Sequence, residues 1–450
     1  MTDSPIPRRS FIKSSAAFGS SLLIMPSGSL FGSSAPSNRL NIALIGVQGR
    51  GRYFFNTLQN ENVVALCDVN DQCMAKTVKE FPKAKRYRDW RKCLEQKDLD
   101  AVIAVSTDHT HAHLGTWALN RDLHVYLEKP MGISVHATRY LRHKYLEKRD
   151  KLATQIGTAN HARNNYARVK EMVRDGAIGD LKEIHAWTSR VLPRPGYPAS
   201  VSPIPDHIHW DLWVGPSSFH PYSPSYFGTY NGDYGPNCLH WNMYWDFGGG
   251  QLADMGSHIM DIAWNVIDGD LPTSVEAEGE DFNPDVTPVD LKARFMVPAN
   301  DWRGELPITW WQGNLKPESP SPHIDLRKFS NGVMFRGTGG YLIADYDSRI
   351  LIPHGKEANL TYYQPRSKKD LIPEIGDFKE EWTNACRGDL KTSCDFEYNG
   401  KMLEMLLLAL VAYRTGGKLE YDGKKGKVIG NPEANRLLKR PYREGWPLDA

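Results

Sequence analysis

The stretch LNIALIGVQGRGRYFFNTL (Leu40–Leu58) runs from an apolar strand, through three glycines, into a helical pattern. Such a turn places backbone N–H groups and the positive end of a helix dipole where a pyrophosphate can bind. The usual fingerprint is GxGxxG; Gly46 and Gly51 fill its first and third positions, whereas Gln48 fills the second. The stretch therefore predicts a dinucleotide site. Its predicted cofactor-binding residues are Gly46, Gln48, Gly49, Arg50 and Gly51.

A second strand, NVVALCDV, ends in Asp68, 22 residues after Gly46. An acidic side chain at this place accepts hydrogen bonds from the ribose hydroxyls of NAD and repels the 2′-phosphate of NADP. A polar residue that simply ends a strand is the alternative. Asp68 therefore favours NAD as the cofactor over NADP.

The α/β alternation continues with DAVIAVST, an unbroken apolar strand typical of a buried parallel sheet, and with HVYLEKP. Ligands bind at the carboxyl ends of such strands. Residues 38–155 are therefore predicted to form an NAD-binding Rossmann domain. Further cofactor-binding residues are predicted at Ser106, Glu128, Lys129 and Asn160.

The segment GGGQLADMGSHIMD (Gly248–Asp261) carries Asp254, His258 and Asp261 on one face of a helix. Oxidation of an alcohol needs a base for the hydroxyl proton, which suits histidine, and a carboxylate one turn away can orient the ring. We predict His258 as the general base, Asp254 as its orienting acid and Lys129 as the cation beside the hydroxyl. Asp261 is predicted to be structural. The alternative is a hydrogen-bonded pair that only secures the helix.

The glycine turn, Asp68, DHTHAHLGTWAL, EKP and GGGxxxDxGxHxxD together resemble the glucose–fructose oxidoreductase/inositol dehydrogenase (Gfo/Idh/MocA) family, and ANRLLKRPYREGWPL is similar to its exported bacterial branch. The sequence departs from the family pattern at Gln48 and at Thr107, where proline is usual. The resemblance implies a parallel-sheet Rossmann domain followed by an α+β domain with a large, mainly antiparallel, open-faced sheet. It also implies His111 beside the nicotinamide, a cis peptide before Pro130 and a homo-oligomer formed through the open sheet.

Residues 156–450 are thus expected to form the substrate-binding domain. Within them, 191–247 is an irregular aromatic-rich insertion, which we expect to wall the pocket with aromatic faces. Arg190 either faces the site or is a solvated strand end. The predicted substrate-binding residues are Lys129, Arg163, Trp187, His209, Trp210, Tyr244, Asp254 and His258.

Two features argue against other classes of site. The segment DHTHAH is dense in possible ligands, but alternating residues along one segment rarely converge on a zinc ion, so we predict no metal and expect His113 on a helix surface. The net charge is only +2 and the cationic residues are spread along the chain, which is unlike a nucleic-acid-binding footprint.

The six cysteines form no CxxC pair, and the sequence leaves open whether Cys386 and Cys394 form a disulfide.

The first 35 residues resemble a twin-arginine signal peptide. RRSFIK (Arg8–Lys13) precedes the apolar run AAFGSSLLIM, and a small-residue stretch ends near Ala35. The run is too short for a stable membrane anchor. A chance Arg-Arg pair is the alternative. The signal predicts a periplasmic or otherwise exported protein that uses the twin-arginine export machinery, and indirectly a tightly held cofactor.

Three functions stay open at this point. The leading hypothesis is an exported NAD-dependent oxidoreductase that acts on a ring hydroxyl of a sugar, glycoside or cyclic polyol. The second is an NAD-dependent enzyme that cleaves glycosides by oxidation, elimination and re-reduction. The third is a non-enzymatic sugar-binding protein with structural NAD, which an intact Lys129, Asp254 and His258 disfavours.

Overall fold

The computed structural model describes residues 38–227, 238–355 and 363–450. The predicted signal peptide, and residues 228–237 of the predicted insertion, lie outside the described residues. The described residues from Leu40 onwards form one compact unit, in which two β-sheets are seen. The strands are β1 Asn41–Ile45, β2 Asn62–Cys67, β3 Lys85–Tyr87, β4 Ala101–Ala104, β5 His124–Leu127, β6 Thr154–Ile156, β7 Leu181–Thr188, β8 Ser274–Gly279, β9 Leu291–Val297, β10 Leu306–Gln312, β11 Asn331–Gly337, β12 Gly340–Ala344, β13 Arg349–Pro353, β14 Lys418–Asp422 and β15 Lys427–Val428. The helices are α1 Phe55–Leu58, α2 Asp71–Thr77, α3 Trp90–Cys93, α4 Asp108–Asn120, α5 Val135–Leu146, α6 Asn164–Arg174, α7 Trp210–Val214, α8 Gly250–Ile267, α9 Phe378–Arg387, α10 Phe396–Thr415 and α11 Pro432–Leu437.

The first sheet is parallel throughout, in the order β3-β2-β1-β4-β5-β6. All four residues of β4 are buried, as the unbroken apolar run predicts for a strand covered on both faces. The strand order reverses between β1 and β4, and such a switch point opens a crevice at the carboxyl ends of the strands. The predicted Rossmann fold is confirmed.

The second sheet has nine strands in the order β13-β12-β11-β7-β10-β9-β8-β14-β15. All its pairs are antiparallel except β7 with β10. One face packs on helices α8 and α10, because alternate residues of β7, Ile184 and Ala186, belong to the same buried cluster as these helices. The predicted α+β half with a mainly antiparallel sheet is confirmed.

The other face of this sheet is partly covered by its own chain. Trp187 projects from β7 into a buried cluster with Met334 and Ile343 of neighbouring strands, and Leu326 covers them. Farther along the face, β8 and β9 present the exposed charged residues Glu276 and Arg294. Pairing with a second subunit through this face remains a prediction.

Helix α9 returns to the Rossmann half. Phe378 and Trp382 are buried in one cluster with Ile42 and Tyr126 of the parallel sheet. The N-terminal core is therefore completed by residues from far along the chain. Cys386 and Cys394 are both free thiols, so the disulfide left open by the sequence is not formed.

Candidate active site

The glycine turn after β1 packs its backbone against the neighbouring strand end. Gly46 has φ +82°, and a Cβ there would lie 2.3 Å from the carbonyl oxygen of Val105. Gly49 has φ +57° and nothing within 4 Å of an added Cβ, so its backbone faces open space. The Gln48 side chain donates a hydrogen bond of 2.5 Å to Thr77 Oγ1. Gln48, which replaces the second glycine of the fingerprint, therefore joins the turn to helix α2.

Asp68, at the end of β2, accepts two backbone hydrogen bonds, from the N–H of Val47 (2.9 Å) and of Asn70 (2.8 Å). Burial raises the pKa of its carboxyl to about 6, and these two donors oppose the shift. The carboxylate is thus held rigidly beside the glycine turn, where a ribose would bind.

A cavity of about 700 Å³ begins at this turn, a size typical of ligand sites. Its lining and the open space above Gly49 fit a dinucleotide. Gly51 is the one predicted cofactor residue that does not line it; a Cβ at Gly51 would meet the carbonyl oxygen of Gly46. The predicted cofactor residues that line the cavity are Gly46, Gln48, Gly49, Arg50, Asp68, Ser106, His111, Glu128, Lys129 and Asn160.

Glu128 and Arg50 form an ion pair across the cavity wall, with 2.8 Å between Arg50 Nε and Glu128 Oε1. The Arg50 guanidinium also lies 4.0 Å from the centre of the Tyr53 ring. A Cβ at Gly157 would come within 2.5 Å of the Glu128 carboxylate. The loop after β6 therefore passes close to the strand end that carries Lys129.

Lys129 lies in the same cavity, and its peptide bond to Pro130 is cis, as the resemblance implied. Its Nζ donates to Asp254 Oδ1, and Arg190 donates to the other Asp254 oxygen at 2.6 Å. Burial alone would raise the pKa of Asp254, but Lys129 and Arg190 outweigh burial and hold it below the ordinary value. Burial opposes the Lys129 charge, yet Asp254 keeps the pKa of Lys129 above its ordinary value. Arg190 thus faces the site.

His258 lines the cavity one helical turn after Asp254. Its backbone carbonyl accepts a 3.1 Å hydrogen bond from the Tyr166 hydroxyl, and its buried Nδ1 has no partner among the described residues. Burial, and then the charge of Lys129, lowers the pKa of His258 to about 3. Both Asp254 oxygens accept hydrogen bonds from cations, so contacts from Lys129 and Arg190 take the place of the predicted contact between Asp254 and this ring.

Asp261 lies on the same helix face but deeper. His161 Nδ1 is 3.0 Å from both of its oxygens, and the Tyr398 hydroxyl donates to Oδ1 at 2.6 Å. Cys394 lies close enough for His161, Asp261 and Cys394 to resemble three metal ligands. Asp261 already accepts hydrogen bonds within the protein, which is what we expect of a structural residue.

The aromatic insertion does line the cavity, but through residues other than those predicted. Trp213 and Trp241 contribute to the wall. Trp210 stacks behind Trp213, with ring centres 4.5 Å apart, and Tyr244 stacks on Tyr197. Trp210 and Trp213 share the short helix α7, whose orientation places Trp213 in the cavity wall. Trp241 and Tyr244 belong to a second segment, of which Trp241 lines the cavity.

The remaining predicted substrate residues, Asp254 among them, do not line this cavity. His209 is 3.2 Å from the Asp71 carboxylate, and Arg163 pairs with Asn160 and Asp347. Trp187 is fully buried on the far face of the second sheet, where its ring N–H donates to the carbonyl of Phe329. Their substrate contacts remain predictions without support from the cavity geometry.

The histidines of DHTHAH are all buried. His109 Nε2 lies 2.8 Å from the carbonyl of Trp213, and the His111 nitrogens lie 2.7 and 3.0 Å from the carbonyls of Pro130 and Ser106. His113 packs against Tyr442, so its predicted place on a helix surface is wrong. The C-terminal segment covers this side of α4, which no local pattern in the sequence indicates.

The fold and the cavity define a dinucleotide-binding protein with a Rossmann half and a sheet-rich half. Residues 40–157 match the family model of the Gfo/Idh/MocA oxidoreductase family, NAD-binding Rossmann fold, and residues 195–295 match its C-terminal alpha/beta domain. Residues 40–157 and 195–295 are therefore similar to the two domains of this family, whose Rossmann fold binds NAD.

Individual relatives are distant. Inositol 2-dehydrogenase from Salmonella paratyphi B is 27% identical over 169 residues, which are 36% of this chain and 50% of the relative. The chain spans about half the length of this curated relative. A glycosyl hydrolase family 109 protein from Stenotrophomonas maltophilia is 28% identical over 201 residues, 40% of this chain and 41% of the relative. The WlbA dehydrogenase from Bordetella pertussis, solved with NADH and UDP-GlcNAcA, has a TM-score of 0.59 at 14% identity over 85% of this chain and 99% of its own.

Within the described ranges, no helix is both long and apolar enough to cross a membrane.

Proposed function

We propose that this protein is an NAD-dependent dehydrogenase that oxidises a ring hydroxyl of a sugar, glycoside or cyclic polyol. One observation carries the proposal: Lys129 and His258 line the same cavity as the glycine turn and Asp68. A proton acceptor and a cation therefore share one enclosed space with the nucleotide-binding elements. This is the arrangement that oxidation of a CH–OH group requires.

The residues divide the work according to their charge. Lys129, kept protonated by Asp254, donates a hydrogen bond to the substrate oxygen and stabilises the developing alkoxide. His258 is neutral at ordinary pH, so a ring nitrogen can accept the hydroxyl proton. Asp254 positions Lys129 rather than His258. Bound NAD supplies the acceptor for the hydride that leaves the carbon.

The wall of the cavity favours a carbohydrate or polyol ring. Trp213 and Trp241 offer apolar ring surface beside the hydrogen-bonding groups. A sugar or polyol ring has apolar C–H faces and hydroxyl groups at its edges. The aromatic rings of the wall suit the faces, and the polar side chains suit the hydroxyl groups.

The test is a panel of sugars, glycosides and cyclic polyols mixed with purified protein and NAD, read by the absorbance of NADH. At least one compound is expected to be oxidised, and Lys129→Met is expected to abolish turnover while NAD still binds. Sugar binding without any NADH formation, in wild type as well as in Lys129→Met and His258→Ala, would instead favour a non-enzymatic binding protein.

Export belongs to the same proposal. The twin-arginine pattern of residues 1–35 is the signal for a route that carries folded proteins, which suits a protein that keeps its NAD. Replacing Arg8 and Arg9 by Lys is expected to retain the protein in the cytoplasm, as fractionation of the producing cells would detect. Nicotinamide dinucleotide is expected among the small molecules released from purified protein.

Cleavage of a glycoside is the second candidate, favoured by the similarity to the family 109 glycosyl hydrolase. Oxidation of a ring hydroxyl to a ketone reduces NAD and acidifies the neighbouring C–H, and elimination then expels the aglycone. Water adds to the resulting double bond, and return of the hydride reduces the ketone and restores NAD. Release of aglycone from an aryl glycoside without net formation of NADH would favour this candidate over net oxidation.

A further inference from the structure

Asp108 is a buried carboxyl in the wall of the catalytic cavity, and none of the steps above uses it. It is the first residue of α4 and only 5% exposed. Lys129 and His258 line the same cavity. Asp108 therefore shares the space in which the proposed substrate would sit.

The charged groups that face Asp108 come from two elements. Lys129 and Glu128 approach from the end of β5, and Asp254 approaches from α8. Apart from its own backbone N–H, no group in the described part of the chain donates a hydrogen bond to this carboxyl. Because Asp108 lines the cavity, its carboxyl can still form a hydrogen bond with a group bound there.

The charge balance favours the protonated acid. Burial raises the pKa of Asp108 well above its ordinary value, Lys129 opposes that shift, and the neighbouring Asp254 adds to it. A protonated carboxyl both donates and accepts a hydrogen bond. A hydroxyl group does the same, so the two are complementary partners.

We propose that Asp108 binds the substrate hydroxyl adjacent to the one that is oxidised, and so selects which carbon of the ring reacts. The inference rests on the proposed function. Lys129 and His258 engage the reacting hydroxyl, and on a sugar or cyclic polyol the next hydroxyl is one carbon away. Asp108 faces Lys129 from α4, whereas Asp254 faces Lys129 from α8. Asp108 is therefore a separate partner, which the neighbouring hydroxyl can bind while Lys129 and His258 bind the reacting one.

The experiment compares wild type, Asp108→Asn and Asp108→Ala on the best substrate of the panel and on its monodeoxy analogues. Asp108→Ala is expected to lower kcat/KM for the parent by about 10- to 100-fold, and Asp108→Asn by less, because an amide also donates and accepts. On the analogue that lacks the neighbouring hydroxyl, wild type and Asp108→Ala should agree within about twofold.

The pH profile gives a second readout. As the pH rises through the raised pKa, Asp108 loses its proton and its donor, so wild-type kcat/KM should fall on the alkaline side. Asp108→Asn should lack that limb and keep only the alkaline loss that Lys129 causes, since the pKa of Lys129 is raised above its ordinary value. The NAD dissociation constant and the unfolding midpoint should stay unchanged in both variants. In the control Asp122→Asn, two residues beyond the end of α4, kcat/KM should stay unchanged as well.

Equal kcat/KM of wild type and Asp108→Ala on the parent substrate would overturn the inference alone. So would a loss explained wholly by weaker NAD binding, or a loss of equal size on every monodeoxy analogue. Failure of wild type to oxidise any compound of the panel would remove the proposed function, and this inference with it.

Discussion

Asp254 binds one cation with each carboxylate oxygen, and this pairing determines how the site is charged. Asp254→Asn keeps the size of the side chain but leaves Lys129 and Arg190 close together without their anion. We expect kcat to fall by about 100-fold or more, because the lysine loses its position. The pKa of Lys129 should also drop, so the alkaline loss of kcat/KM should begin at lower pH than in wild type.

The measurement is a pH series of kcat/KM for Asp254→Asn beside the exposed control Asp270→Asn. Loss of turnover without any movement of the alkaline limb would argue that Asp254 does not control the charge of Lys129. A simple folding defect would lower the unfolding midpoint as well, which a thermal scan separates from the effect on the site.

Asp68 makes cofactor binding sensitive to acid. Its carboxylate accepts the ribose hydroxyls only when ionised, and burial raises its pKa to about 6. NAD affinity should therefore be constant above pH 7 and weaken as the pH falls through about 6, where the folded protein takes up the proton. Asp68→Asn should bind NAD more weakly at pH 7 and show no such dependence. Titration of NAD by calorimetry between pH 5 and 8 checks both statements.

At the scale of elements, the C-terminal segment holds the aromatic wall in place. Arg443 donates to the carbonyls of Gly215 (2.8 Å) and Asp211 (2.9 Å) and to the Asp211 carboxylate (2.6 Å), which brackets helix α7 and its Trp213. Arg443→Met should release α7 and raise KM for the sugar about tenfold with a smaller change in kcat.

The exposed pair Arg436 and Glu433 offers a matched control, since Arg436→Met removes a guanidinium from the same end of the chain without touching α7. Steady-state kinetics of both variants suffice. An unchanged KM in Arg443→Met would show that α7 keeps its place without the C-terminal clamp.

Elements with a strong local period were predictable. The β1 turn, the fully buried β4 and the helix face of Asp254 and His258 follow from spacing alone, and the apolar helix α10 stops at Gly416 as its paired glycines indicate. The sequence does not show whether Trp210 or Trp213 lines the cavity, because the two residues lie about one helical turn apart within an irregular segment. The same holds for Asp108, whose burial depends on strand ends that meet only in the folded sheet.

At the scale of the whole molecule, the two halves share cores rather than meeting at a simple boundary. The predicted division near residue 155 falls within β6, the last strand of the parallel sheet. Helix α9 then returns to that sheet and buries Trp382 against Tyr126, with ring centres 5.7 Å apart in an edge contact. No sequence period of α9 shows which sheet it will cover, since an amphipathic helix has the same pattern on either one.

Trp382→Ala tests this shared core. The side chain is only 1% exposed, so its removal should lower the free energy of unfolding by about 3–5 kcal/mol, and Trp382→Phe should lower it less. NAD affinity should weaken together with stability, because Tyr126 lies two residues before Glu128 on the strand that enters the cavity. Denaturant titration and NAD binding of both variants, beside the exposed control Phe219→Ala, give the measurement. A stable Trp382→Ala protein with unaltered NAD affinity would mean that the Rossmann half is complete without α9.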